Sequence, residues 1–197
     1  MSLKHAIEVG ELEEIKCRVK KGENVESISN TGWTALMSAS SYGHLKVVKY
    51  LIEDLYVDVN AMVEYGGTAL MCAAEKGDFE TVKYLMDQDA DVNIADGTGW
   101  TALMCGAESG DLNIVKYLMS HGANVNSINK FGRTALIYTA DYGRLDIVKY
   151  LIEHGAKVNI IDKDGGSALS YAMESKHLDV VELLNKNIKK EDLGEKK

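Results

Sequence analysis

Thr34-Ala35-Leu36-Met37 is the stretch that decides the fold, because variants of it return four times along the chain. The copies are Thr68-Ala69-Leu70-Met71, Thr101-Ala102-Leu103-Met104, Thr134-Ala135-Leu136-Ile137 and Ser167-Ala168-Leu169-Ser170. Successive copies begin 34, 33, 33 and 33 residues apart. A fixed period of this length is typical of repeat proteins, in which one helical unit cannot bury its own apolar face and neighbouring units share a core. The pattern predicts a stack of similar units and lowers the expectation of a deep active site.

Each copy carries the same local signals for two short helices. A glycine stands two residues before the Thr or Ser, where a turn needs positive φ, and the hydroxyl suits a helix N-cap. In the first four copies a second glycine follows nine residues after the Thr and suits the end of the first helix. A second helix is then indicated by apolar residues at helical spacing, as in Val47-Val48-Lys49-Tyr50-Leu51. The turn glycines are Gly32, Gly66, Gly99, Gly132 and Gly165.

Each unit ends in a closing segment such as Gly122-Ala123-Asn124-Val125-Asn126. Together with the signals for two helices, this repeated sequence closely resembles the ankyrin repeat over roughly nine-tenths of the chain. The resemblance implies an all-α fold, an α-solenoid of stacked helix-turn-helix units with β-hairpin loops. The chain departs from the family pattern because the usual Pro is always Ala and the usual His is Met, Ile or Ser; there is no Pro at all. We therefore expect the family's His-mediated link between neighbouring loops to be missing, with Met filling that space.

The repeat frame predicts one domain over residues 1–186, with caps at both ends. A charged tail at 187–197 is expected to fray or stay disordered, because it is mostly Lys, Glu and Asp. One extra residue, where Leu55-Tyr56-Val57 replaces Gly-Ala, predicts a longer or bulged loop. The predicted units are an N-terminal cap at 1–28, full repeats at 29–61, 62–95, 96–128 and 129–161, and a C-terminal cap at 162–186.

Composition narrows the classes of partner. A net charge of −8 disfavours nucleic acid and anionic membranes, since phosphate binding depends on Lys and Arg. No apolar stretch approaches a membrane span and the N-terminus lacks a secretory apolar region. The three cysteines are an odd count, and Cys72 and Cys105 occupy equivalent positions that suit small core filler. We expect an intracellular, cytoplasmic, reducing location and a monomer.

A regular row of lysines runs along the second helices and has two interpretations. The row could be a track for a polyanion, or the solvated side of outer helices; acidic neighbours one turn away favour the second. The tyrosines beside these lysines are interpreted as a ladder between repeats, because they share a helical register with Val and Leu. The row consists of Lys49, Lys83, Lys116 and Lys149.

The search for catalytic or cofactor chemistry gives one near match. Gly97-Thr98-Gly99-Trp100-Thr101-Ala102 fits a dinucleotide fingerprint, but that motif requires a preceding strand in a βαβ unit, and here the same position recurs in an all-helical period. The five histidines are scattered, which disfavours a metal site. We expect no enzyme activity, no cofactor and no bound metal.

The residues that the repeat does not need are the candidates for function. By the resemblance, partners lie on the loop tips and on the exposed ends of the first helices, which line the concave face. Both tryptophans, Trp33 and Trp100, fall at the same tip position, and aromatic and Arg side chains are common interface anchors. The alternative is that each ring packs on the neighbouring loop. The predicted protein-binding residues are Trp33, Tyr42, Tyr65, Glu75, Trp100, Glu108, Phe131, Arg133, Asp141 and Tyr142.

An acidic row accompanies these aromatics along the predicted groove. Its members are Glu8, Glu75, Glu108, Asp141 and Glu174. The row either attracts a partner with basic side chains or simply keeps the surface soluble. The preferred function is a non-enzymatic protein-binding module that acts as adaptor, inhibitor or immunity-type blocker. The alternatives are a small-molecule or regulatory-ligand binder and a designed scaffold without a natural partner.

Overall fold

The computed structural model describes residues 1–25, 33–62 and 66–192. Within these ranges the chain forms twelve helices, arranged as six consecutive pairs. In chain order they are α1 Leu3–Val9, α2 Leu12–Lys20, α3 Ala35–Ser41, α4 Leu45–Glu53, α5 Ala69–Lys76, α6 Phe79–Asp87, α7 Ala102–Ser109, α8 Leu112–Ser120, α9 Ala135–Asp141, α10 Leu145–Glu153, α11 Ala168–Glu174 and α12 Leu178–Asp192. The all-helical repeat architecture predicted from the period is confirmed.

The repeated Thr or Ser begins the first helix of each full pair as an N-cap. Thr34 has extended φ and ψ, and its hydroxyl accepts a hydrogen bond from the Met37 N–H at 3.1 Å. The hydroxyl satisfies an amide that would otherwise lack a partner at the helix start, which stabilises the helix by about 1 kcal/mol. The same bond forms in the later copies, at Thr68, Thr101, Thr134 and Ser167.

The shared core lies between the two layers of helices, and the first-helix layer is the more tightly packed. Neighbouring first helices, such as α5 and α7, contact one another far more closely than neighbouring second helices such as α6 and α8. Small residues permit the approach, because Ala73, Ala74 and Ala107 are fully buried between these helices. A stack whose units are closer on one side bends toward that side. The first helices and loop tips therefore line the concave face.

The loops form isolated bridges, Ala95 with Thr101 and Ile161 with Ser167, and no longer strand occurs in the described ranges. Neighbouring tips are linked through the backbone, because the Lys130 N–H donates to the Thr98 carbonyl at 2.8 Å and the Lys163 N–H to Phe131 at 2.9 Å. These bonds tie neighbouring loops together.

Tight contact between loop backbones also explains one of the turn glycines. Gly99 has φ +83°, and a Cβ there would lie 2.8 Å from the Asn129 Cα of the next loop. Both the left-handed conformation and the close approach exclude a side chain. The methionines expected to fill the family's histidine position, Met37, Met71 and Met104, are buried.

The closing Asn residues form a second ladder between units that the sequence did not reveal. The Asn93 side chain donates to the Gly122 carbonyl at 3.0 Å and accepts from the Asn124 N–H at 2.9 Å. Asn60 and Asn126 make the equivalent pair of bonds to the next loop. Each Asn thereby fixes the spacing of two repeats, because its side chain bonds one carbonyl and one N–H of the next unit's closing turn.

Two departures from regularity follow from local sequence. The extra residue after α4 is accommodated at Tyr56, which has φ +54° and is 86% exposed. The backbone hydrogen bond that follows α4 runs from the Val57 N–H to the Leu51 carbonyl, six residues earlier. The equivalent bond after α6 runs from the Ala90 N–H to the Leu85 carbonyl, only five residues earlier. The bulge predicted there is confirmed.

The last helix corrects a prediction. α12 continues to Asp192, so the disorder expected for 187–197 is wrong for residues 187–192, which are helical. Residues 193–197 lie outside the described ranges. The charged side chains did not prevent helix formation, because Lys, Glu and Asn can extend a helix whose earlier turns, at Val180 and Leu184, are anchored in the core.

Candidate protein-binding surface

Two positions in the repeat determine the shape of the concave edge. We call the residue directly before the capping hydroxyl the tip position, and the residue four places after the hydroxyl the floor position. The tip residues are Trp33, Gly67, Trp100, Arg133 and Gly166, and the floor residues are Ser38, Cys72, Cys105, Tyr138 and Tyr171. The side chain at a tip lies against the floor residue of the next unit, as with Trp100 and Tyr138, whose ring centroids are 4.6 Å apart.

A cleft of about 330 Å³ opens on this edge between the two tryptophans. Trp33 and Trp100 stand at its two ends, with Gly67 between them. Its other lining residues are Met37, Met71, Cys72, Glu75, Asp96, Thr98, Cys105 and Glu108. The volume is at the low end of the range for ligand pockets, about 300 to 1,000 Å³, so the cleft suits one long side chain or a small group.

The cleft exists because three small residues stand where later units carry large ones. Gly67 has no side chain at its tip, and Cys72 and Cys105 are small floor residues. Two units further along, the corresponding floor residues are Tyr138 and Tyr171, and both rings contact the side chain of the preceding tip. The same backbone frame therefore produces an empty space in one segment and a filled one in the next.

Carboxylates lie around the cleft with little internal compensation. Among the described residues, Glu75 makes no hydrogen bond or ion pair, and Glu108 accepts one bond from the Tyr142 hydroxyl at 3.1 Å. Asp96 uses Oδ1 to accept from the Thr98 and Trp100 N–H groups, at 2.8 and 2.9 Å. The cleft thus combines aromatic ends with a negative lining that a cation would neutralise.

The filled segment beside the cleft is centred on Arg133, and we call Arg133, Tyr138, Asp162 and Tyr171 the arginine cluster. The guanidinium donates to Asp162 Oδ2 at 2.8 Å and to the Tyr171 hydroxyl at 2.6 Å. Its carbon lies 4.6 Å from the Tyr171 ring centroid and 5.9 Å from that of Tyr138. The cluster joins two repeats through one side chain.

Asp162 is fully buried within this cluster and stays ionised. Burial by itself raises the pKa of its carboxyl, but hydrogen bonds from the Tyr171 hydroxyl, the Gly166 N–H, Arg133 and the Asp164 N–H outweigh it, and the net pKa lies below the usual value. These bonds favour the charged form because each donor is aimed at the carboxylate oxygens. Arg133 therefore has a structural role that the sequence did not indicate.

The other predicted site residues spread along the same edge. Trp100 is half-buried, and its side chain lines the cleft and also contacts the Tyr138 ring. The alternative expectation, that this ring packs on the neighbouring unit, is therefore partly met. Phe131 is 48% exposed beside the Lys130 ammonium. Tyr42 and Tyr142 are exposed at helix ends.

The remaining acidic residues of the predicted row lie outside the cleft. Asp141 accepts a bond from the Ser175 hydroxyl at 2.8 Å. Glu8, at the far end of the predicted row, lies 3.7 Å from the Lys4 ammonium. Tyr65 lies outside the described residues. The structure therefore brings Trp33, Glu75, Trp100 and Glu108 together around one space and leaves the other predicted residues outside it.

The lysine row on the second helices contacts the tyrosine ladder. The Lys49 ammonium lies 5.1 Å from the centroid of the Tyr84 ring of the next unit, and Lys116 lies 5.7 Å from Tyr150. The four tyrosines are half-buried against the core, as the ladder interpretation predicted. These cation–π contacts give Lys49 and Lys116 of the row a structural use.

The polar chemistry elsewhere on this side is structural. Burial, followed by the charge of Glu75, raises the pKa of the Cys72 thiol to about 12, and the Cys105 pKa is raised further, so both thiols are protonated and unreactive near neutral pH.

His44 Nε2 lies 2.9 Å from the Glu8 carbonyl, and His177 makes the same contact with Asp141. In the described ranges no group of three or more His, Cys, Asp or Glu side chains could hold a metal ion, and no helix has the length and apolarity to cross a membrane.

Sequence reasoning missed several lining residues of the cleft. Cys72 and Cys105 were interpreted as core filler, and they are buried, but they also form the floor of the cleft. The signal was present in the sequence as a size difference at the floor position, Cys in two units and Tyr in the next two. Gly67 carried a second signal, since it lacks a side chain where both flanking units have Trp.

Comparison with known families agrees with this architecture. A family model described as ankyrin repeats matches the chain in three copies, over residues 2–63, 57–129 and 123–193. The matches together span nearly the whole chain. No curated protein matches the chain significantly.

Proposed function

The chain belongs to the ankyrin-repeat family, whose members are generally protein–protein interaction modules, and on this basis we propose that it binds a partner protein on its concave face without catalysis. Its action would be that of an adaptor, an inhibitor or an immunity-type blocker. The observation that carries the proposal is the cleft, which places both tryptophans of the chain and an unpaired carboxylate in one accessible space.

Tryptophan at this position is not required by the repeat. The tip position holds Trp, Gly or Arg in different units of the same stack, so the fold accepts very different side chains there. Tryptophan is enriched among the residues that dominate binding energy at interfaces. Two of them around a cleft form a suitable anchor site for a partner side chain.

The charge distribution supports a partner with basic side chains at the contact. The chain carries a net charge of −8, and neither Glu75 nor Glu108 forms an ion pair in the described part of the chain. Such a surface attracts a basic partner and repels nucleic acid and anionic membranes. We place the module inside the cell as a monomer, on its charge and its three free cysteines.

A second candidate is a binder of a small regulatory molecule, which the volume of the cleft favours. A small ligand would use the same aromatic ends and carboxylates. A small ligand would not contact Phe131 and Tyr142, which lie outside the cleft, whereas a protein partner would.

The test uses four baits made from the full chain: the unchanged protein, Trp100→Ala, Phe131→Ala and Lys83→Ala. Lys83 is exposed on the opposite side of the stack and serves as the matched control. We expect a protein captured by the unchanged and Lys83→Ala baits to be lost with Trp100→Ala and weakened with Phe131→Ala. Capture that depends on Lys83 and not on Trp100, with all baits folded, would place the partner on the convex side and overturn the proposal.

A further inference from the structure

We propose that the cleft is a subsite for one arginine side chain of the partner, whose guanidinium binds Asp96 beside Gly67. The inference deepens the proposed function and depends on it only for the source of the arginine. It follows from a correspondence between the cleft and the arginine cluster, which occupy the same positions of the repeat two units apart.

The arginine cluster shows what this position of the repeat can hold. Arg133 extends from its tip, lies against the Tyr171 ring of the next unit, and donates to Asp162 Oδ2. Asp162 meanwhile uses Oδ1 to accept from the Asp164 and Gly166 N–H groups, at 3.0 and 2.8 Å. One carboxylate oxygen thus closes the turn and the other receives the guanidinium.

The cleft contains the same acceptor without its arginine. Asp96 stands at the position of Asp162, and its Oδ1 closes the turn in the same way, by accepting from Thr98 and Trp100. Its Oδ2 accepts no hydrogen bond from any residue that the structure describes. The tip that would supply the guanidinium is Gly67, and the floor residue that would lie beneath it is Cys105.

The surroundings of the vacant place favour a guanidinium over other groups. Trp33 and Trp100 both line the cleft, and a planar guanidinium stacks on aromatic rings better than a compact ammonium does. Asp96 offers the acceptor oxygen, and Glu75 and Glu108 add negative charge to the same lining. The apolar floor of Met71, Cys72 and Cys105 accommodates the methylene stem.

The chain also offers test variants that its own repeats already use. Asp96→Asn removes the charge but keeps the turn, because Asn129 closes the next turn with its Oδ1. The control for loss of one negative charge is Asp164→Asn, because the Asp164 side chain is 76% exposed and lies outside the cleft.

The first experiment measures binding of N-acetyl-arginine amide through tryptophan fluorescence, since both tryptophans of the chain line the cleft. The same concentrations of the lysine and citrulline analogues are the controls for charge and shape. We expect saturable binding of the arginine compound, at least tenfold weaker binding of the other two, and a loss of at least tenfold in Asp96→Asn but not in Asp164→Asn. Equal binding of the lysine or citrulline compound, or arginine binding unaffected by Asp96→Asn, overturns the arginine subsite.

The second experiment places the arginine within the chain and needs no partner. Gly67→Arg is compared with Gly67→Ala, because a Cβ at Gly67 would meet the flexible Met71 side chain at 2.6 Å in both variants. We expect Gly67→Arg to unfold about 2–4 °C above Gly67→Ala, and this difference to vanish when Asp96 is also changed to Asn. A difference that persists without the Asp96 charge contradicts the proposed acceptor.

These outcomes separate the two proposals. Partner capture that requires Trp100 but ignores Asp96 leaves the protein-binding function in place and removes the arginine subsite. Arginine binding that requires Asp96, in a protein whose baits capture no partner through Trp100, supports the subsite and removes the proposed function.

Discussion

The cleft and the arginine cluster are built from the same repeat positions, yet one is open and the other is filled. In the cluster, Arg133 and Tyr171 occupy the space between two units, and Asp162 neutralises the guanidinium. In the cleft, Gly67 and Cys105 stand at the equivalent positions, and the equivalent acceptor, Asp96, lacks a cation among the described residues. Side chains used to join repeats stabilise the fold, whereas side chains left without internal partners remain available for binding.

The largest expected effect is on stability, at the filled segment. Asp162→Ala should cost about 3 kcal/mol of unfolding free energy, because it leaves the Arg133 guanidinium with only the exposed Asp164 carboxylate, 3.7 Å away, and frees the Asp164 and Gly166 turn amides. Asp96→Ala removes the same turn bonds but no cation, and should cost about 1 kcal/mol. Denaturant unfolding of both variants measures the difference. Equal losses would show that the cluster adds nothing beyond its turn.

The next effect is on affinity, at the open segment. Trp100→Ala should weaken binding of the captured partner by about 2 kcal/mol, roughly 30-fold, because an aromatic end of the cleft is lost. It also removes the contact with Tyr138, so titration calorimetry should be run well below each variant's unfolding midpoint. Lys83→Ala is the control and should leave affinity unchanged. An affinity insensitive to Trp100 in a folded variant would show that the cleft is not the anchor site.

A smaller effect is expected from the charge at the cleft. Glu75→Gln should weaken partner binding by about 0.2–1 kcal/mol, since the carboxylate is exposed and screened by salt. The loss should be in the association rate and should shrink between 50 and 500 mM NaCl, concentrations that we choose to bracket strong and weak screening. Stopped-flow or surface-based kinetics provide the measurement, with the exposed Glu80→Gln on α6 as control. A loss confined to the dissociation rate would argue for a direct buried contact at Glu75.

The smallest effect is the pH dependence of the cluster, because Asp162 is one of 30 acidic residues that titrate together. Its pKa is lowered in the folded state, so the ionised carboxyl stabilises the fold above its unfolded value of about 3.9, and this stabilisation is lost as the pH falls further toward the folded pKa. The unfolding free energies of the unchanged protein and Asp162→Asn should therefore converge as the pH is lowered through about 3.9. As the control, Glu80→Gln, which removes an exposed carboxylate on α6 away from the cluster, should remain parallel to the unchanged protein throughout. Parallel curves for Asp162→Asn would contradict the lowered pKa.

Most of the fold was predictable because its signals are local. The hydroxyl caps, the turn glycines and the apolar spacing of the second helices act within one unit, and a period of 33 residues repeats them. The tail was predicted wrongly because its composition was judged alone. Its helix continues from turns anchored by Val180 and Leu184, which is a tertiary contribution.

The candidate site was only partly predictable. Trp33 and Trp100 were recognisable because they exceed what the repeat needs, and they do line one cleft. Arg133 was recognisable by the same criterion, but it is bound to Asp162, 29 residues away in the next unit. Residue type at a tip cannot distinguish these cases, because the outcome depends on the floor residue of the neighbouring unit.

The sequence by itself determined the helices, their caps, their order and the family, since each depends on residues within one period. Only the tertiary structure decided which tip side chains join repeats and which enclose space. That decision depends on volumes and charges that meet across two units, such as Arg133 on Tyr171 and an absent side chain at Gly67 beside Cys105. Contacts between units place residues about 30 positions apart within hydrogen-bond distance, and no local pattern records whether a space between them is filled.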